Sequence, residues 1–436
     1  MEIQESMKKV LIITYYWLPS GGSGVQRWVK FAKYLRDFGW EPVVFTPENP
    51  EFPSIDHSFE KDIPTGITIL KIPIWEPYNF YRKLSQKKGE PINAGFISEN
   101  KKHGWKDKLS VWIRGNFLIP DPRRFWIRPS VRYLTKYLIE NPVDVIVTTG
   151  PPHSVHFIGL ELSRIFPDKP WIADFRDPWT NVYYYKDLKI SWIANRIHHR
   201  LEKKIIQNAD CVLVVSQGMK DEFELLNPKK LQIITNGYDK DDIRLEKKTL
   251  DEKFTISHIG LLTERQNPHV LWKVLSEICQ QNPAFQSDLV IQLIGKIDFS
   301  VLDAIRQSGL QEQLVKIPYL PHDEAIAKQQ SSQLLLLLLL NQKGTKSILT
   351  GKLFEYLAAK RPIFALGLLD GDAAKVLSDT GAGTMVDFTD EVTTRQIILD
   401  YYARYKSNSL DVDSGSVEHF SRKSLTGELT ALMNSL

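Results

Sequence analysis

The chain has 436 residues, 42% of them hydrophobic and 25% charged, and a net charge of +4 at pH 7. That composition excludes disorder over most of the length and exceeds what one ordinary core holds, which favours two domains. Two cysteines, Cys211 and Cys279, exclude both a disulfide framework and a zinc site, and a reducing cytoplasm is the simplest location.

In chain order, Lys8 and Lys9 ahead of "VLIITYYWL" look like the front of a secretory signal. No small-residue cleavage site follows and the run enters a glycine loop, so the stretch reads as a first strand. Short apolar, β-branched runs then alternate with loops and helical patterns, the signature of βα units and a parallel sheet. The first set is "KVLIITYYW", "EPVVFTP", "VDVIVTTG", "PWIADF", "CVLVVS" and "LQIITNG". The second is "FTISHIG", "LVIQLIG", "LLLLLLL", "RPIFAL" and "AGTMVDF". The leucine run, Leu334 to Leu340, is too short to span a bilayer and fits a strand buried on both faces. Tyr238 to Lys253 is charged, lacks apolar periodicity and reads as a linker. The expected architecture is α/β, with two doubly wound Rossmann-like domains and a cleft between them. Residues 1–240 form the first, with an insertion near 75–128, and residues 252–415 the second. Residues 416–436 form a helical segment directed back toward the first.

The insertion carries twelve cations and five acids, +7 locally, interleaved with Trp105, Trp112 and Trp126. That pattern suits an anionic membrane surface or a phosphorylated partner, and equally a solvated basic loop. No helix-turn-helix, RNA-recognition or zinc pattern accompanies it, so nucleic acid is not an expected partner.

In open parallel sheets, ligands bind beyond the carboxyl ends of the strands. "SGGSG", Ser20 to Gly24, follows the first strand, and Gly21 and Gly22 can bring backbone N–H groups to an anion or sugar at a helix start. The spacing is not the dinucleotide fingerprint, and a plain turn has the same sequence needs. "HIGLLTERQNP" puts Gly260 at a strand end and Arg265 before the next helix, where its guanidinium can grip a phosphate or simply face solvent. In "TGKLFEYLAAKRPI", Thr350 or Gly351 begins a helix that Pro362 limits. Lys352 and Glu355, three apart, share a face. The carboxylate matches the vicinal hydroxyls of a ribose and the ammonium a diphosphate; a surface ion pair is the structural alternative.

On these residues the chain resembles the family-four glycosyltransferases of the two-Rossmann (GT-B) fold, especially bacterial members associated with surface polysaccharides. The resemblance runs through the glycine loop, "ADFRDPW", "ADCVLVVSQGMKDEF", "IITNGYD", the "HIG" loop and "GKLFEYLAAKRPI". It implies that Glu355 holds the donor ribose, and that Arg265 with Lys352 holds the diphosphate. Three regions depart from the family pattern. Ser347 stands where an earlier donor-binding glutamate is common, Leu261 and Gln266 stand at commonly basic positions, and Arg176 and Asp177 replace a histidine–aspartate pair.

The resemblance further implies transfer of a sugar from a UDP- or GDP-linked donor to a hydroxyl of a lipid-linked or surface glycan, with retention of configuration. Arg265 and Lys352 would stabilise the leaving diphosphate. Asp177, Arg176 and His153 of "TGPPHS" are candidates on the acceptor side, and each also has a structural reading. The acidic triplets Asp370–Asp372 and Asp411–Asp413 look like cation motifs, but Asp372 reads as a helix cap and the second triplet as a solvated segment. No metal or other cofactor is expected. A sugar-nucleotide epimerase, a non-catalytic nucleotide-sugar binder and a membrane or polyanion scaffold are the rival functions. A cytoplasmic protein, peripheral at the inner face of the membrane, is the expected setting.

Overall fold

The computed structural model describes residues 7–52, 55–76, 112–113, 115–183, 185–243, 249–340, 342, 344–412 and 417–436. Most of the basic insertion, residues 77–111 and 114, and Asp413 of the second acidic triplet lie outside that set. Two compact units emerge: residues 1–235 with 425–436, and residues 236–424.

The first unit holds a seven-stranded parallel sheet. Its strands are β1 (Lys8–Thr14), β2 (Trp40–Pro47), β3 (Thr68–Ile72), β4 (Val145–Gly150), β5 (Trp171–Phe175), β6 (Cys211–Val214) and β7 (Leu231–Ile233). They lie in the order β3-β2-β1-β4-β5-β6-β7. Strand pleating sends alternate residues to opposite faces, so β1 places Leu11 and Ile13 in one core and Val10 and Ile12 in another. Helices cover both layers; those that position the candidate site are α1 (Ser23–Leu35), α2 (Ser154–Ile165) and α3 (Trp192–Asn208). Leu425, Leu429, Leu432 and Met433, on one stripe of a helix, join the core that contains Val10 and Trp28.

The second unit repeats the plan with six parallel strands. They are β8 (Phe254–Ile259), β9 (Leu289–Ile294), β10 (Leu314–Ile317), β11 (Leu334–Leu338), β12 (Ile363–Leu366) and β13 (Gly383–Val386), ordered β10-β9-β8-β11-β12-β13. The leucine run now has a physical reason. Leu334, Leu336 and Leu338 enter one core while Leu335 and Leu337 enter the other, so a central strand buried on both faces needs no polar alternation. Among its helices, α4 (His269–Gln281), α5 (His322–Ser331) and α6 (Gly351–Ala359) bear on the site.

Both sheets are doubly wound, and the strand order reverses between β1 and β4 in one and between β8 and β11 in the other. Such switch points leave a crevice at the carboxyl ends of the two strands, where the following loops diverge to opposite faces. The glycine loop and "TGPPHS" flank the first reversal; the "HIG" loop and the approach to α6 flank the second. Among the described residues no helix is long and apolar enough to cross a membrane.

Candidate functional site

At the second reversal the main chain turns sharply after β8. Gly260 has φ +123°, and a Cβ there would lie 2.4 Å from Lys352 Cε and 2.7 Å from Nζ. Only glycine satisfies both the backbone and the close approach. Lys352, in the first turn of α6, lays its side chain across this glycine. Its Nζ donates to the Leu261 carbonyl at 3.0 Å and lies 3.3 Å from His258 Nε2.

His258 is fully buried in β8, and its Nδ1 is 3.0 Å from the Leu336 carbonyl of β11. That bond fixes the tautomer with the proton on Nδ1, leaving the Nε2 lone pair to accept from Lys352. Burial, and then the Lys352 charge, push the imidazole down to about 3, so it is neutral at any working pH. Lys352 in turn is desolvated and drops to about 8, with Glu355 opposing the shift. An ammonium poised to lose its proton near neutrality gains most from an arriving anion.

Helix α6 is held in place by Tyr356, a completely buried side chain whose hydroxyl oxygen accepts from the Ile259 N–H at 3.0 Å. The N-cap residue Thr350 makes no side-chain cap bond, and its Oγ1 is buried without a partner. The first N–H groups of α6, with the positive end of its dipole, are therefore available to an anion beside Lys352. The helix ends at Lys360 in a left-handed conformation, φ 54°, just before Pro362.

Glu355 is half-buried, and its Oε2 accepts from Gln329 Nε2 of α5 at 3.1 Å. Gln329 is itself buried, with its Oε1 unpartnered. Among the described residues Glu355 Oε1 accepts no hydrogen bond, which leaves carboxylate capacity for a ligand's hydroxyls.

Ser347 is buried in the loop leading to α6. Arg265 lies exposed in the 3-10 turn Glu264–Gln266 after β8. Gln266 completes a capping box with Thr263 and donates to the Leu338 carbonyl at 2.8 Å, so this commonly basic position braces the loop against β11. Asp370 pairs with Lys346, and Asp372, expected as a cap, is instead the first residue of its helix, with Gly371 at the cap position.

In the first unit, Gly22 has φ 99° and starts α1 without a side-chain cap; Gly21 precedes it, buried. Arg176 braces this loop. Its Nη1 donates to the Gly24 carbonyl, Nε to Gly150 at 3.1 Å and Nη2 to Pro151 at 2.5 Å. Each guanidinium nitrogen of Arg176 thus donates once to the main chain of the β1 and β4 loops, and two of its five N–H groups are left over. Beneath it lies a buried ion pair: Arg27 Nη2 is 3.0 Å from Asp174 Oδ1, and Trp28 and Thr149 donate to the same carboxylate at 2.7 and 2.8 Å. Burial alone would raise the Asp174 carboxyl, but Arg27 and these donors hold it below its usual value.

Asp177 is solvent-exposed just beyond the end of β5, next to Arg176. His153 begins α2 and stacks on Trp179, with centroids 4.9 Å apart and planes within 6°. Its Nδ1 is buried without a partner, and burial, then His156, keeps the ring neutral. Trp179 is fixed by a bond from Nε1 to His198 Nδ1 at 3.1 Å, while Glu202 accepts from the Trp179 and Thr180 amides at 3.2 and 3.1 Å. His258, Tyr356 and Gln329 were missed by sequence reasoning. A histidine inside the apolar strand "FTISHIG" was a usable signal; the tyrosine and glutamine offered none.

Residues 97–242 match the family model described as Glycosyltransferase Family 4. No curated protein matches the sequence. Among solved structures, a sucrose-phosphate synthase from Thermosynechococcus elongatus is similar at 14% identity, covering 98% of both chains, with a TM-score of 0.61. The Anabaena protein HepE, solved in complex with UDP-glucose, is similar at 13% identity, covering 98% of this chain and 100% of its own, with a TM-score of 0.59. A Listeria monocytogenes protein described as a candidate UDP-N-acetylglucosamine 2-epimerase is similar at 11% identity, covering 98% of this chain and 96% of its own, with a TM-score of 0.54. Identities this low establish shared fold and nothing finer. Residues 97–242 are therefore similar to Glycosyltransferase Family 4, and over its length the chain shares the two-sheet fold of these solved structures, as the resemblance in its sequence implied.

Proposed function

We propose that the protein transfers a sugar from a UDP- or GDP-linked donor to a hydroxyl of a glycan, lipid-linked or surface-bound, with retention of configuration. The observation that carries this reading is the arrangement at the β8/β11 reversal: Lys352 lies over Gly260 at the uncapped start of α6, with Glu355 one turn along. Lys352 and the α6 amides take the diphosphate, and Arg265 approaches it from the neighbouring loop. Glu355 Oε1 accepts from the ribose hydroxyls. Ser347 and Gly260 line the donor side. Fixed positive charge then meets the negative charge that develops on the leaving diphosphate, and removing one such group costs on the order of 3 kcal/mol of barrier.

Asp177 and His153 are the acceptor-side candidates. His153, neutral and with an unpartnered Nδ1, is suited to a hydrogen bond with a sugar hydroxyl rather than to charge stabilisation. In this reading no metal is required. The protein works in the cytoplasm, peripheral to the inner face of the membrane.

An epimerase reading draws on the third structural likeness above, since that fold also suits a nucleotide-sugar epimerase. The two separate in one assay. Wild-type protein is incubated with UDP- and GDP-sugars, with and without a glycan and lipid acceptor pool, and nucleoside diphosphate release and donor identity are followed. Acceptor-dependent release supports transfer, conversion of donor without acceptor supports epimerisation, and intact donor under both conditions rejects both.

A further inference from the structure

Helix α3 shows solvent a face that its own fold does not use. Its buried side chains are Ala194, His198, Glu202, Ile205 and Ile206. Its first turns leave Trp192 72% and Ile193 64% exposed, with Ile197 exposed one turn on. Every cation of the helix, Arg196, Arg200, Lys203 and Lys204, is exposed, while its one acid, Glu202, is turned inward onto the Trp179–Thr180 amides. The outward surface is therefore aromatic and aliphatic at one end and purely basic along the rest. Arg196 lies over the Trp192 ring, 5.6 Å from its centroid.

The patch continues beyond the helix. Asn116 Oδ1 accepts from the Ser191 N–H at 2.7 Å, and its Nδ2 donates to the Trp112 carbonyl at 2.7 Å, which ties Trp112 and Asn116 to the start of α3. Trp112 and Phe117 stand edge to face there, both exposed, with Arg124 donating toward the Phe117 carbonyl and Lys189 exposed nearby.

We propose that this face, the first two turns of α3 with Trp112 and Phe117, docks on an anionic lipid surface. Tryptophan, phenylalanine and isoleucine tips surrounded by cations are the composition of an interfacial segment: the apolar tips enter the headgroup boundary while Arg196, Arg200, Lys203 and Lys204 meet lipid phosphates. A protein partner would have to offer a shaped apolar pocket for Trp192 and Ile193 beside matched acids, whereas an anionic bilayer takes the apolar tips and the single-signed charge without shape complementarity. The inference deepens the peripheral membrane setting of the proposed reading, and its test uses neither donor nor acceptor, so its failure leaves the sugar-transfer reading standing.

The test is co-sedimentation of the full chain with phosphatidylcholine vesicles, with and without about 30% phosphatidylglycerol, at roughly 50 and 500 mM salt. Wild type is expected on the anionic vesicles alone and to be released by salt. Trp192→Ser with Ile193→Ser is expected to lower the partition about ten-fold or more, and Arg196→Glu with Arg200→Glu to abolish it. An unchanged thermal shift by nucleoside diphosphates certifies that both variants are folded. No wild-type binding to anionic vesicles at low salt, or equal binding by all three proteins, overturns the proposal. So does concentration-dependent dimerisation that the Trp192/Ile193 variant loses while vesicle binding stays absent, which would assign the face to a second copy of the chain.

Discussion

Under the proposed function, raising the pH from 7 to 9 should weaken nucleotide binding roughly ten-fold. In the ligand-free protein Lys352 titrates near 8 instead of 10.5, chiefly because it is desolvated. Its folded pKa is thus below its unfolded one. Keeping it charged costs the fold on the order of 3 kcal/mol at pH below about 8, and that cost is relieved as pH rises from 8 toward 10.5. A bound diphosphate returns the missing counter-charge and raises Lys352 again, so above pH 8 binding must take up a proton. If the bound lysine stays protonated to about pH 10.5, affinity falls roughly ten-fold between pH 7 and 9, with uptake of about 0.1 proton at pH 7, 0.5 at pH 8 and 0.9 at pH 9. Isothermal titration of UDP or GDP, whichever binds, in buffers of different ionisation enthalpy reads both quantities. Nucleoside diphosphates are already fully ionised above about pH 7.5, so they do not supply the signal. Lys352→Ala should bind more weakly at pH 7 and show no pH dependence. A flat affinity from pH 7 to 9 with no proton uptake would refute the reasoning.

Other consequences follow from the same geometry. His258→Leu removes the acceptor that holds Lys352 and should weaken nucleoside diphosphate binding about ten-fold, while His258→Gln, which keeps an acceptor, should recover part of it, read by the same titration. Gly260→Ala forces a side chain into φ +123° and against Lys352, and should lower stability by roughly 1–3 kcal/mol in urea denaturation. Asp174→Ala strands the buried Arg27 guanidinium, and a loss of about 3–5 kcal/mol is expected by the same measurement.

Much of the fold could be read from the chain because parallel strands buried on both faces are written as continuous apolar runs. The leucine run and "CVLVVS" are strands for that reason, and the polar stretches that follow them locate the loops. The start of α6 was legible for a local reason: Thr350, Gly351, Lys352 and Glu355 are close in sequence, so helical spacing alone puts the charges together. What was not legible depends on strand order. Lys352 meets His258, 94 residues away, and Gln329 meets Glu355 only because β8 and β11 are neighbours. The main-chain contacts of Arg176 depend on strand order too. The three carbonyls that occupy it come from Gly24, Gly150 and Pro151, which adjoin only at the β1/β4 reversal. The exposed face of α3 left no signal for the opposite reason: sequence alone does not distinguish an exposed Trp192 or Ile193 from a buried one.

The central claim is that Glu355 grips the ribose, and the most direct measurement compares UDP or GDP with its 2′,3′-dideoxy analogue on wild type and on Glu355→Ala. Two hydrogen bonds to a charged carboxylate should make wild type prefer the ribonucleotide on the order of 100-fold, and Glu355→Ala should bind both forms alike. If the variant kept the full preference, the carboxylate would not touch the ribose and the donor-site assignment would be wrong.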